Sequence, residues 1–145
     1  MQNSEQNFLC RSLSHVYIEE EAAQHPVTHK ILEKLGKVSV IPIRHYKDVF
    51  CRSNQSFAKQ RYSRQLIIAR KKEPFLYEGS EMCDPFEHSR FYYCINAMNC
   101  IYDCEYCYLR GAYHSANLVI FVNIEDVFAQ DRKSTRLNSS HESPS

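Results

Sequence analysis

Glycine is scarce, with 3 residues in a chain of 145. A chain so poor in the most permissive residue does not read as flexible linker over most of its length. Long apolar runs are missing too. None approaches the roughly 20 residues that a helix needs to cross a bilayer. The opening stretch, Met1 to Asn7, is polar and lacks the positive start and apolar segment of a signal peptide. Charge of one sign is also lacking: 18 Lys and Arg face 17 Asp and Glu, for a net of +1. That balance argues neither for nor against a nucleic-acid partner. These absences lead to the expectation of a soluble, cytoplasmic protein with no membrane association, and nothing in them indicates an oligomeric state.

Aromatic residues are plentiful (Tyr 10, Phe 8) and 43% of positions are hydrophobic. That is enough apolar surface for a modest core on the scale of one domain. The last stretch is different. Asp131 to Ser145 reads DRKSTRLNSSHESPS, polar and without hydrophobic period. Its opening, DRKSTRLNSSH, looks like the translation of a common sequencing adapter in one frame. The expectation is an artefactual disordered tail over 131–145, a natural frame interrupted after about Gln130, and a chain that is an N-terminal fragment. An ordinary disordered polar tail is the alternative. Without those residues the remaining 130 carry no net charge.

Local patterns divide the chain. Residues 15–19, HVYIE, form a β-prone run. A helix fits 26–35: Pro26 suits its first position, Gly36 the residue beyond its end, and Lys30 and Lys34 lie toward its C-terminus. Val27, Ile31, Leu32 and Leu35 make its apolar stripe. Residues 38–43 read as a second strand, and Pro42 marks it as an edge or a strand end. The opening is therefore β–α–β. Tyr46 to Ser63 is polar and mixed, with a short helix around 55–62. Gln65 to Ala69 is a third strand. Residues 73–90, with Pro74, Gly79 and Pro85, read as a long connection. Phe91 to Ile95 is a strand leading into a cysteine loop, Glu105 to Tyr113 could start a helix, Leu118 to Val122 is a further strand, and Ile124 to Gln130 begins another helix.

Seven cysteines stand at 10, 51, 83, 94, 100, 104 and 107. An odd count without a signal peptide disfavours a disulfide framework. Cys100, Cys104 and Cys107 are spaced C-x3-C-x2-C in NCIYDCEYCYLRGAY, which points to a metal site. Three thiolates on one loop can wrap three corners of a cubane and leave one iron without a protein ligand. Soft thiolates suit iron–sulfur clusters. A structural zinc site would want four ligands, and Cys94 or His114 could be the fourth. Cys10, Cys51 and Cys83 are isolated and read as ordinary small apolar residues. Cys94 reads as part of its strand.

The pattern C-x3-C-x-aromatic-C after a strand resembles the radical S-adenosylmethionine (SAM) signature. The longer string CEYCYLR narrows the resemblance to the spore photoproduct lyase family of DNA-repair proteins. HVYIEEEA, LIIARKK and VNIEDVF stand in the order that family shows, so the likeness spans most of 15–130, weakly between 45 and 90. It implies a 4Fe–4S cluster on Cys100, Cys104 and Cys107, with SAM on the open iron. It implies an electron donor such as flavodoxin or ferredoxin, and a parent enzyme acting on DNA that contains a thymine dimer. In that family a 5′-deoxyadenosyl radical removes a hydrogen from C6 of the dimer, and two thymines are restored. Tyr106 matches the aromatic beside the SAM adenine. Tyr106 and Tyr108 match the two tyrosines implicated in passing the radical back, with packing around the cluster as the plain alternative. The family's hydrogen-donating cysteine lies beyond this chain, so the expectation is an inactive polypeptide whose parent is a carbon–carbon lyase. Two other readings stay open: a radical SAM enzyme with another substrate, and a small zinc-binding interaction module.

The implied fold class is α/β: a small N-terminal α/β unit over 1–90, then the beginning of a truncated radical SAM partial (β/α) barrel over 91–130. Charge is segregated along the chain. Residues 44–72 hold nine Arg or Lys and only Asp48 as an acid, while 73–107 hold seven acids against Arg90. A phosphate-binding face is one reading. A solvated surface paired with the acidic segment is the favoured one.

Overall fold

The computed structural model describes residues 13–80, 92–102 and 104–139. Cys10, Cys83, Phe91 and the adapter-like residues past 139 lie outside them. Two compact units are present: Met1–Arg70 with Ala97–Val122, and Lys71–Asn96 with Asn123–Ser145.

The first unit is built on a mixed five-stranded sheet. Strand β1 (His15–Glu19) is followed by a 3-10 turn at Glu20–Ala22 and helix α1 (Pro26–Leu35). Strand β2 (Ser39–Ile43) then returns parallel to β1, pairing Val16 with Val40 and Ile18 with Pro42. This is the expected β–α–β opening, and its ends are chemically defined. The His25 ring nitrogen accepts the Val27 N–H at 3.3 Å. At the other end Gly36 takes a positive φ of 72°, which costs glycine nothing, and donates to the Leu32 carbonyl at 3.0 Å. Val27, Ile31, Leu32 and Leu35 pack against Val16, Ile18, Leu66 and Ile68. The helix thus covers one face of the sheet, and the period-2 alternation of the strands decides which side chains it meets.

Short helices α2 (Lys47–Phe50) and α3 (Phe57–Gln60) precede strand β3 (Leu66–Ala69). All four residues of β3 are buried. Their unbroken apolar run, LIIA, is what a central parallel strand covered on both faces needs. It lies between β1 and β7 (Leu118–Phe121), parallel to each. The short strand β6 (Ala97–Met98) pairs antiparallel with β7 and completes the order β2-β1-β3-β7-β6. On the second face Val49 and Phe50 are buried. Tyr46 meets Phe121 edge-on there, and Phe50 meets Tyr113. Strand β2 is an edge, as Pro42 suggested, and leaves Val40 and Ile41 exposed.

Glu19, at the end of β1, is 1% exposed. Its carboxylate accepts the Arg70 N–H at 2.8 Å and the Tyr46 N–H at 3.3 Å. One buried anion thereby ties the backbone just past β3 and just past β2 to the tip of β1.

In the second unit, strands β4 (Leu76–Glu78) and β5 (Tyr92–Cys94) form an antiparallel pair, with Tyr77 stacked on Tyr93. Helix α4 (Ile124–Ser139) follows buried Asn123, whose side chain bonds the Lys71 backbone in both directions at 2.8 and 3.0 Å.

Several expectations change. The strand at 91–95 is present as β5, but its partner is β4, in a connection expected to lack strands. The strand that enters the cysteine loop is β6. The segment Glu105 to Tyr113 is not a helix: it makes successive turns closed by Cys107 N–H to Cys104 O, Arg110 N–H to Cys107 O and Ala112 N–H to Leu109 O. Bonds that span three residues, interrupted by Gly111 at φ 82°, do not propagate into an α-helix. Helix α4 runs on to Ser139, into residues expected to be disordered. Once a turn is nucleated beside Glu125 and Asp126, adding one residue costs little, so polar residues can extend it. Cys51, expected to be a small apolar residue, is exposed at the end of α2.

Candidate metal centre

The cysteine loop leaves the C-terminal end of β6. Because β6 runs against β7, that end lies where the parallel strands begin. Residues from this edge hold the loop at its base. Asn99 sits at φ 64°, a left-handed conformation that asparagine tolerates better than most residues. Its amide donates to the carbonyls of Ser115 and Asn117, both at 2.7 Å. Its Oδ1 is buried with no hydrogen-bond partner among the described residues. From the other side Arg64, just before β3, donates through one guanidinium nitrogen to the carbonyls of Cys100 at 3.1 Å and Ile101 at 2.7 Å.

A polar network backs this base. Asn117 Oδ1 accepts the Gln65 N–H at 3.0 Å. Gln60 Oε1 accepts from the Ala116 N–H at 2.7 Å and the Ser115 hydroxyl at 3.2 Å. Buried polar groups satisfied in this way fix one geometry, since each alternative leaves a donor or acceptor stranded. A half-open cavity of about 530 Å³ lies along the same edge, lined by His15, Arg52, Gln60, Gln65 and Asn117 among others.

Cys100, Cys104 and Cys107 are all free thiols; the first is exposed and the other two half-buried. The backbone brings Cys104 and Cys107 onto one turn. Among the described residues no three His, Cys, Asp or Glu side chains already stand together as a cage. Binding a metal is itself what gathers and deprotonates such ligands. The donor set fits an iron–sulfur cluster: three soft, unpaired thiols on one loop with an anchored base. Cys94 lies on β5 and is exposed. Tyr106 and Tyr108 are 92% and 86% exposed, so neither packs into the core of this chain.

Arg64 and Asn99 were not singled out from the sequence. Arg64 lay inside a basic stretch read as a solvated face, and its role depends on a carbonyl pair 36 and 37 residues away. Asn99 had one weak signal, as an asparagine where a strand turns into a loop.

No protein-family model and no curated protein matches the chain. Solved structures do. A tyrosine-to-phenylalanine variant of spore photoproduct lyase aligns with TM-score 0.61 and 22% identity. The lyase complexed with a dinucleoside spore photoproduct aligns at 0.60 and 22%, and a cysteine-to-alanine variant at 0.58 and 25%. Each alignment covers 84% of this chain.

The chain has part of the spore photoproduct lyase fold.

It spans 35% of the length of those lyase chains, so the likeness concerns that portion of the fold. No helix among the described residues is long and apolar enough to cross a membrane.

Proposed function

We propose that the chain is part of a radical SAM enzyme of the spore photoproduct lyase type, with Cys100, Cys104 and Cys107 holding three irons of a 4Fe–4S cluster. In this reading 91–130 begins the catalytic barrel, after an N-terminal α/β unit. The observation that carries the proposal is a C-x3-C-x2-C loop of free thiols, pinned at its base by Asn99 and Arg64, on this lyase fold.

When bound, the cluster would supply the electron that cleaves SAM at its sulfonium. The chain's own part is to bind and position. Cys100, Cys104 and Cys107 would hold the cluster as thiolates, and the loaded cluster would offer a binding point for SAM. Tyr106, next to the third ligand, is assigned to the adenine. Tyr106 and Tyr108 together are assigned to the return of the radical. Their exposure leaves both rings available to a cofactor or to the rest of a barrel. The substrate of the whole protein is DNA containing spore photoproduct, and a flavodoxin or ferredoxin supplies the electron. A damaged base step is cheaper to extrude than an intact one, which suits a site that must reach a stacked lesion.

Anaerobic reconstitution with iron and sulfide tests the reading. The expected product is brown, holds about four irons and four sulfides per chain, and changes its reduced-state EPR spectrum when SAM is added. Serine at any one of the three cysteines should abolish loading. A colourless chain that takes zinc in preference to iron and sulfide would refute the proposal in favour of a zinc module.

A further inference from the structure

Resting on that reading, we infer that Arg64 is a positioning residue for the cluster: it sets the geometry of the first ligand, Cys100, and biases the charge of the site. The argument begins with the contact. One guanidinium nitrogen donates to the carbonyls of Cys100 and Ile101, at 3.1 and 2.7 Å. These two carbonyls belong to the first ligand and the residue after it. The preceding residue, Asn99, is held at φ 64° by two further hydrogen bonds. The backbone of Cys100 is thus gripped from both sides before any metal binds, while among the described residues the backbones of Cys104 and Cys107 are tied by local turns.

Arg64 comes from the segment leading into β3, whose strand is wholly buried. It stands two residues before that strand, and its guanidinium lies over the Phe57 ring at 5.8 Å, which limits its rotamers. A preorganised anchor lowers the entropy lost when a loop closes on its ligand. The charge matters as well. A cluster on three thiolates becomes more negative on reduction, and a nearby cation favours the reduced form. Lysine keeps the charge but not the flat guanidinium that lies over Phe57, whereas glutamine loses the charge.

The experiment uses the full chain, reconstituted anaerobically, with Arg64→Lys and Arg64→Gln beside the wild type. Val16→Ala, a core change in β1, serves as a stability control. Three quantities are read: melting of the metal-free chains, the rate of iron loss to a chelator, and the cluster's midpoint potential. Arg64→Gln should lose iron about ten-fold faster or more, as outer-shell changes at metal sites do, and its potential should fall. Arg64→Lys should retain most of the potential while losing iron faster than wild type. A core control that sheds iron as fast as Arg64→Gln would overturn the inference, because general loosening would then explain the loss. So would an Arg64→Gln chain that matches wild type in both iron loss and potential. A wild type that loads no cluster would overturn both this inference and the proposed function, so the two failures are told apart by the wild-type arm.

Discussion

Replacing Glu19 with glutamine isolates the charge of a buried carboxylate whose shape is otherwise kept. Glu19 is 1% exposed and receives the backbone N–H groups of Arg70 and Tyr46 at 2.8 and 3.3 Å. A glutamine amide offers one acceptor oxygen in place of two. Kept on Arg70, the shorter contact, that oxygen makes a neutral bond where a charge-assisted one stood, a loss of about 1 kcal/mol. The amide NH2 then faces the Tyr46 N–H, donor against donor, and removing a buried donor's acceptor costs about 1–3 kcal/mol. The sum is about 2–4 kcal/mol. An opposing effect is present: a neutral amide is cheaper to bury than a carboxylate. With two backbone donors and His45 at 3.9 Å facing the anion, the hydrogen bonds should win. Urea denaturation of the full chain at neutral pH reads the difference as a lower midpoint at unchanged slope. A Gln variant as stable as the wild type, or more stable, would show that desolvation of the carboxylate outweighs its bonds, and the strand-tip argument would fall.

The core and the tyrosines yield sharper contrasts. Ile68→Ala, at a fully buried position in the central strand, should cost about 2–5 kcal/mol in the same denaturation assay; a loss below about 1 kcal/mol would mean the sheet is not packed as described. Tyr106→Phe and Tyr108→Phe, at 92% and 86% exposure, should leave both melting and iron loading at wild-type values. A drop in melting for either would show that its hydroxyl supports the fold.

Much of the backbone was legible because its signals are local. Helix α1 followed from Pro26, Gly36 and an apolar stripe, each acting within a turn or two. Strand β3 followed from an apolar run too short for a helix, and Pro42 pointed to an edge or a strand end, of which the sheet order makes β2 an edge. The cysteine triplet was visible because its thiols sit on one loop, where spacing alone restricts the chemistry. The long reading of 73–90 as mere connection missed β4, since three residues, LYE, have too little pattern to stand out.

What the sequence determined by itself was therefore the set of pieces and the thiol loop, whose causes reach across a few residues. The tertiary structure decided what those pieces do to one another. Only pairing across the sheet sets β6 against β7 and brings the loop out where the parallel strands begin. Only that placement lets Arg64 reach the Cys100 carbonyl, and buries Glu19 under backbone donors from two other segments. Hydrogen-bond partners distant in the chain leave no periodicity or spacing to read, because what selects them is the geometry of packing.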